Sequence, residues 1–280
     1  MNTCYLVGYP VGHSMSSIMH NAAFRAKGLD YKFENCSVKP EELKSFIDSD
    51  LRLSHIRGAS VTIPHKVSVI KYIDALEDAA EKIGSVNTIV DDGGKLKGYN
   101  TDGNGAIRSL KEAYGDLDGI KAVILGAGGA SRSISYKLSS IVGELVILNR
   151  TLSTAEELVE DLAQNPENRA RLAASPLDHV NEALENASLL INTTPIGMSP
   201  RTGETPIGKE NLRPSMFVFD VVYNPMKTRL LTDAEAAGAR TLNGIDMLVY
   251  QGAEAFKLWT GEDAPIEIMK NAVKRALEAG

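Results

Sequence analysis

Four groups of residues in this sequence could do chemistry. Lys66 lies in Thr62-Ile63-Pro64-His65-Lys66, directly after the apolar run Ile56 to Val61, which reads as a strand. A loop lysine is ordinarily a solvated surface charge. At the carboxyl end of a strand in an open α/β fold, where ligands collect, it is also a usable proton donor or acceptor once burial or a neighbour tunes it. Asp102 follows a second strand, Leu96 to Tyr99, in Asn100-Thr101-Asp102-Gly103. It either caps the helix that runs to about Tyr114 or contributes a carboxylate to a site. Ser14 and Ser16 approach a helix pattern from about Ile18 to Lys27, closed by Gly28. In one reading a serine is the N-cap; in the other, two hydroxyls and the helix end grip a carboxylate, and the same geometry serves both.

The fourth group is the turn Gly126-Ala127-Gly128-Gly129-Ala130, which follows the apolar run Lys121 to Leu125 and opens a helix pattern near Gly129. Strand, glycine turn and helix in that order form a dinucleotide-binding fingerprint. Gly126 makes the tight turn, Gly128 lets the backbone approach a pyrophosphate, and the helix N-terminus aims its free N–H groups at the phosphate charge. Ser131 stands where the usual third glycine would be. The next strand, Glu144 to Leu148, ends in Asn149-Arg150-Thr151, where NAD-binding versions carry an acid for the ribose 2′-hydroxyl. An acid would repel a 2′-phosphate, whereas a guanidinium and hydroxyls bind one, so the site is expected to prefer NADP. Thr193 opens the loop after the strand Leu189 to Asn192, where the nicotinamide half should lie. Gly244, at the start of the last helical segment, completes the candidate cofactor contacts.

These groups need two sheets to position them. The chain has 280 residues, 43% hydrophobic and 24% charged, enough for two domains with a sizeable core. A net charge of −6 argues against non-specific binding to nucleic acid or an anionic membrane, so an anionic ligand must be held by local groups. Cys4 and Cys36 have no ligand-like spacing, and the five histidines form no metal-spaced cluster. No metal is implied. With no signal-peptide pattern and no apolar run of transmembrane length, a reduced cytoplasmic protein is expected.

Further strands are expected at Thr3–Gly8, Tyr31–Val38, Phe217–Asp220 and near Arg240–Leu242. A short helix is expected at Glu41–Ile47, a helical region at Val67–Lys82 broken near Asp74-Ala75, and a hairpin turn at Asp91-Asp92-Gly93-Gly94. Helices are expected from Thr228 to Ala237, from Gly244 to about Thr260, and from Pro265 onward. Gln251 shares a helix face with Met247 and is by default a solvated polar position. The alternation implies an α/β chain with a doubly wound nucleotide domain.

The segments GYPVGHSMSSIMHNAAF (from Gly8), SVTIPHK (from Ser60), GSVNT (from Gly84) and GYNTDGNG (from Gly98) are followed by GAGGAS (from Gly126) and NRT (from Asn149). After these come NTTPIGM (from Asn192), VVYNP (from Val221) and NGIDMLVYQGAEAFKLWTG (from Asn243). Together, in this order, they resemble the shikimate dehydrogenase family over nearly the whole chain. The resemblance implies NADPH-dependent, reversible reduction of 3-dehydroshikimate to shikimate, in the route to aromatic amino acids. It implies a substrate domain from residues 1–102 and 243–280, a Rossmann domain from 103–242, C-terminal helices returning to the first domain, and ligands in the cleft between the two. By position, Lys66 and Asp102 would be the catalytic pair. Ser14 and Ser16 would bind the substrate carboxylate, with Tyr223 close by, while Thr62, Asn87, Asp102 and Gln251 would hold the ring hydroxyls. Two departures stand out: Ser17 where the family commonly has proline, and Ser60 where many members have asparagine near the substrate.

The proton that accompanies hydride transfer falls to Lys66 and Asp102 together, the carboxylate fixing the hydroxyl and the lysine; the residues leave open which is the formal acid. Quinate, alone or beside shikimate, is the nearest rival substrate, and a methylene-tetrahydrofolate dehydrogenase relative would lack the serine pair. A non-catalytic ligand sensor on this fold would be expected to have lost Lys66 or Asp102, and both are present. The partners expected are small molecules only, on a monomer or homodimer.

Overall fold

A computed structural model describes residues 1–279. In chain order the first elements are β1 (Asn2–Gly8), α1 (Ser16–Lys27), β2 (Tyr31–Ser37), α2 (Leu43–Ser49), β3 (Ile56–Val61), β4 (Ala75–Leu76), α3 (Asp78–Ile83), β5 (Thr88–Asp92) and β6 (Lys95–Tyr99). Next come α4 (Asp102–Ala113), β7 (Lys121–Leu125), α5 (Gly129–Ser139), β8 (Glu144–Asn149), α6 (Leu152–Ala163), β9 (Arg171–Pro176) and α7 (Val180–Leu184). The last are β10 (Leu189–Asn192), β11 (Phe217–Asp220), α8 (Arg229–Ala236), β12 (Arg240–Leu242), α9 (Ile245–Thr260) and α10 (Ile266–Ala279). The chain divides into two compact units, residues 1–102 with 248–280, and residues 103–247.

The first unit holds a mixed sheet in the order β2-β1-β3-β5-β6-β4. Strands β2, β1 and β3 run parallel, and β5 is antiparallel to both β3 and β6. The carboxyl ends of β1, β3 and β6 and the amino end of β5 therefore share one edge. One core packs Leu43 and Ile47 of α2 with Val7, Ile56, Val61, Ile89 and Leu96 from the strands. Side chains of this kind contribute about 1.5–3 kcal/mol each when fully buried. The C-terminal segment completes the unit: α10 packs on α1, and the indole of Trp259 donates to Ile89 O at 2.9 Å.

The second unit is a wholly parallel sheet in the order β12-β11-β10-β7-β8-β9. The runs KAVIL, LLIN and FVFD are apolar without alternation, as strands covered on both faces must be. Successive strands step outward from β7 through β8 to β9, then resume on its other side with β10. The switch point lies between the carboxyl ends of β7 and β10, where open sheets of this type form their ligand crevice.

The segment 67–82 departs from the helical expectation. It forms a 3-10 turn (Ser68–Tyr72), the short strand β4, and only then α3. Asp74 N donates to Leu96 O at 2.9 Å, Glu77 N to Gly98 O at 2.8 Å, and the Asp74 carboxylate accepts from Leu96 N and from both terminal nitrogens of Arg52. These tertiary bonds draw the chain out alongside β6 and override local helix preference. Glu77 then caps α3, accepting from Ala79 N and Ala80 N. A second correction concerns Ser14 and Ser16. The helix already starts at Ser16, and Met15 occupies the N-cap position without a side-chain cap bond.

Candidate active site

The shared edge of the first sheet gathers the polar residues of that unit. Lys66 leaves β3 on a loop held at several points: Val86 N donates to Lys66 O at 2.7 Å, His65 N to Thr62 O at 2.9 Å, and Val69 N to His65 O at 2.9 Å. The buried His65 ring places Nε2 2.6 Å from Val38 O, tying the loop to the end of β2. So anchored, Lys66 donates from Nζ to Asp102 Oδ2 at 2.5 Å, with side-chain exposures of only 15% and 5%. This is no solvated surface lysine.

Asp102 is the first residue of α4, and its other oxygen is also occupied: Asn87 Nδ2 donates to Oδ1 at 2.9 Å. Asn87 itself is buried and tightly oriented. Its Oδ1 accepts from Thr101 N at 2.9 Å and Thr88 Oγ1 at 3.0 Å, and its Nδ2 lies 3.2 Å from Gln251 Oε1. Thr101 Oγ1 donates to Gln251 O at 3.0 Å, so α9 is stitched to the end of β6. Lys66, Asp102, Asn87 and Gln251 thus form one connected cluster. Gln251, by default a solvated position, belongs to it.

Ser14 and Ser16 follow β1, the parallel neighbour of β3. Ser14 Oγ lies 3.2 Å from both Ser16 N and Ser16 Oγ, so the two hydroxyls and one helix-end amide converge. Thr62, half-buried, donates from its backbone N to Val7 O at 2.9 Å. The geometry can present a cation, a carboxylate, two amides and several hydroxyls along one edge, which suits a polyhydroxylated acid.

In the second unit the candidate cofactor residues lie at or after the carboxyl ends of the strands, those after β7 and β10 at the switch point itself and the others at the ends of β8 and β12. Gly126 sits at φ +102°, a region hostile to residues with a Cβ, and a Cβ there would stand 2.8 Å from Thr193 Oγ1. Thr193 donates from both N and Oγ1 to Leu125 O, at 3.0 and 2.7 Å. Gly128 is the N-cap of α5, exposed, with open space where a Cβ would be. Ala127 is buried, and Gly129 and Ala130 form the helix's first turn. At the end of β8, Asn149 Nδ2 donates to Thr151 O at 2.9 Å, and among the described residues Arg150 has no ion-pair partner. Gly244 N donates to Val222 O at 3.1 Å, and Tyr223, half-buried, lies in the loop after β11 in this unit.

Several participants escape a reading of motifs. Thr101 and His65 orient the cluster around Lys66, and Asp220 is wholly buried between β10 and α8. The one hint was an acid closing the apolar run FVFD.

Three family models match the chain: the shikimate dehydrogenase substrate binding domain over residues 6–89, shikimate / quinate 5-dehydrogenase over 108–221, and the shikimate 5′-dehydrogenase C-terminal domain over 244–274. The chain is 46% identical to the shikimate dehydrogenase (NADP(+)) of Methanopyrus kandleri, over 97% of this chain and 94% of that relative. A crystal structure of a shikimate dehydrogenase in complex with NADP+ superposes with a TM-score of 0.91 at 42% identity, covering 99% of this chain and 96% of that one. The Thermus thermophilus shikimate 5-dehydrogenase in complex with NADP(H) and shikimate gives a TM-score of 0.86 at 34% identity, covering 99% and 100%.

Proposed function

This chain belongs to the shikimate dehydrogenase family, and we propose that it interconverts 3-dehydroshikimate and shikimate with NADP(H). The observation that carries this reading is the largely buried Lys66–Asp102 ion pair, braced by Asn87 at one end of the first sheet. In this reading residues 1–102 and the C-terminal segment serve the substrate and the intervening residues the dinucleotide; the compact units divide at 247/248, a few residues beyond the expected boundary at 242/243, which leaves Gly244 with the second unit.

The second unit fits a dinucleotide with a 2′-phosphate. Open space at Gly128 gives such a group room to approach, and the first N–H groups of α5 and Arg150, unpaired among the described residues, are the donors it needs. Gly126, Ala127, Gly128, Gly129 and Ala130 would hold the pyrophosphate, Asn149, Arg150 and Thr151 the 2′-phosphate, and Thr193 and Gly244 the nicotinamide half. When bound, the reduced cofactor supplies a hydride to the carbonyl carbon.

The chain's own residues do the rest. Ser14 and Ser16 offer converging donors to the carboxylate, with Tyr223 a further substrate contact, and Thr62, Asn87 and Gln251 orient the ring hydroxyls. As the carbonyl becomes a hydroxyl, Lys66 and Asp102 deliver a proton to its oxygen, and they take it back in the reverse direction. No helix among the described residues is long and apolar enough to cross a membrane. The reading takes the protein as a cytoplasmic monomer or homodimer with small-molecule partners, and the net charge of −6 accords with its binding no nucleic acid.

The test is NADPH consumption with 3-dehydroshikimate, and NADP+ reduction with shikimate and quinate in parallel, with shikimate expected to be the better substrate. Lys66→Ala and Asp102→Asn should each lower kcat by roughly 10²–10⁴ while NADP+ titrates as in the wild type. Near-normal turnover in either variant removes that residue from the mechanism.

A further inference from the structure

Asp220 is 0% exposed and closes β11, one strand from the switch point. Every donor it meets among the described residues is neutral. Oδ1 accepts from Asn192 Nδ2 at 2.9 Å and Val222 N at 3.1 Å, and Oδ2 accepts from Thr228 Oγ1 at 2.7 Å. Burying a carboxylate without a cation is costly, and an apolar residue in that strand would avoid the cost. Burial accordingly pushes its pKa up to about 6. A group kept against such a cost points to function more than to stability.

What the carboxylate holds is informative. By accepting from Asn192 Nδ2 it fixes which way that amide faces, so that Asn192 Oδ1 accepts from Thr194 N at 3.0 Å and Thr194 Oγ1 at 2.7 Å. Thr193, the preceding residue, is in turn clamped onto Leu125 O beside the Gly126 turn. Through Val222 N the carboxylate holds the loop after β11, whose Val222 O receives Gly244 N. Through Thr228 it reaches the start of α8, where Thr228 Oγ1 also accepts from Leu231 N as the cap. One buried group therefore ties together the chain leaving β10 and β11 and the start of α8.

We propose that Asp220 is a positioning residue that fixes the loops after β10 and β11 as the seat for the nicotinamide half of the dinucleotide. This rests on the dinucleotide reading of the second unit. Asp220 is placed to touch neither substrate nor cofactor; it acts through Asn192, with Thr194 beyond it, and through Val222.

The decisive comparison is between NADP+ and adenosine 2′,5′-bisphosphate, which has the adenine and 2′-phosphate but no nicotinamide, each titrated calorimetrically into the whole 280-residue chain. Asp220→Ala should weaken NADP+ by about 10-fold or more, the scale of a buried donor left without its partner. It should leave the bisphosphate within about 2-fold, a difference too small to reflect a lost buried bond. Asp220→Asn, whose oxygen can still accept from Asn192 and Val222 while its amide donates to Thr228, should recover most of the NADP+ affinity. Should Asp220→Ala fail to fold, Thr228→Val removes one of the three bonds and should show the same selective loss in smaller measure. Equal weakening of both ligands would make Asp220 merely structural, and no weakening of NADP+ would overturn the proposal outright. If wild-type protein binds NADP+ but does not oxidise shikimate, the substrate assignment fails while this comparison still stands.

Discussion

Lys66 and Asp102 stand 2.5 Å apart at one edge of the first sheet, Lys66 on a loop tied by backbone bonds, and Asp102 where Thr101 N and its own N donate to the side-chain oxygens of Asn87 and Asn100. His20 is the opposite case, a titratable ring that the chain has removed from chemistry altogether. It is fully buried, stacked on Phe33 at 4.6 Å with Trp259 edge-on at 5.2 Å, and among the described residues neither ring nitrogen has a hydrogen-bond partner. Burial pushes its pKa down to about 3. The unfolded chain, with an ordinary histidine near 6.5, binds more protons than the folded one between those two values. Stability from this group is therefore intact above about pH 6.5 and falls with pH below it, by up to about 1.4 kcal/mol per pH unit. Urea midpoints at pH 7, 6 and 5 should show this slope in the wild type and a shallower one in His20→Phe. Identical slopes would mean that the acid sensitivity belongs to other groups.

At the scale of elements, what could be read depended on whether the signal was local. The turn from β7 to α5 was legible because a short apolar run, a residue needing positive φ and a helix opening are all written within a few positions. The strands Leu189–Asn192 and Phe217–Asp220 were legible for the same reason. The segment 67–82 was not: Arg52 and Leu96 decide its conformation, and nothing near Asp74 announces them. Nor was Asp220, since an acid after an apolar run reads as a strand end, and its burial depends on Asn192 and Thr228 from other elements. The pairing of Asn87 with Gln251 likewise spans two distant motifs, and only their resemblance to one family suggested a common role. The end of β8 carries its own test. With Arg150 exposed and unpaired among the described residues, Arg150→Asp should move the ratio of kcat/KM for NADP+ over NAD+ toward NAD+ by about 10- to 100-fold, the worth of one charge-assisted bond lost. An unchanged ratio would show that the 2′-phosphate is recognised by other residues.

For the whole molecule, the important fact is that the first unit is discontinuous in sequence. The chain leaves it at Asp102 and re-enters at Leu248, and the returning segment supplies Gln251 to the polar cluster and Trp259 to the aromatic core. Two bonds join the segments around that indole: Tyr31 Oη donates to Trp259 O at 3.1 Å, and Trp259 Nε1 donates to Ile89 O. Trp259 is the single tryptophan of the chain and only 6% exposed, so its fluorescence during denaturation reports the unfolding of this unit. If Ser14, Ser16, Lys66, Asn87, Asp102 and Gln251 bind the substrate, shikimate alone must stabilise the unit that contains them. At a concentration 100 times its Kd it should raise the free energy of the Trp259 transition by about 2.7 kcal/mol, through mass action on the folded state. Two-state linkage requires the increment to grow with the logarithm of ligand concentration, which separates binding from a solvent effect of the added acid. A transition that moves with NADP+ but not with shikimate would place the substrate's determinants outside this unit, whatever the enzyme's activity.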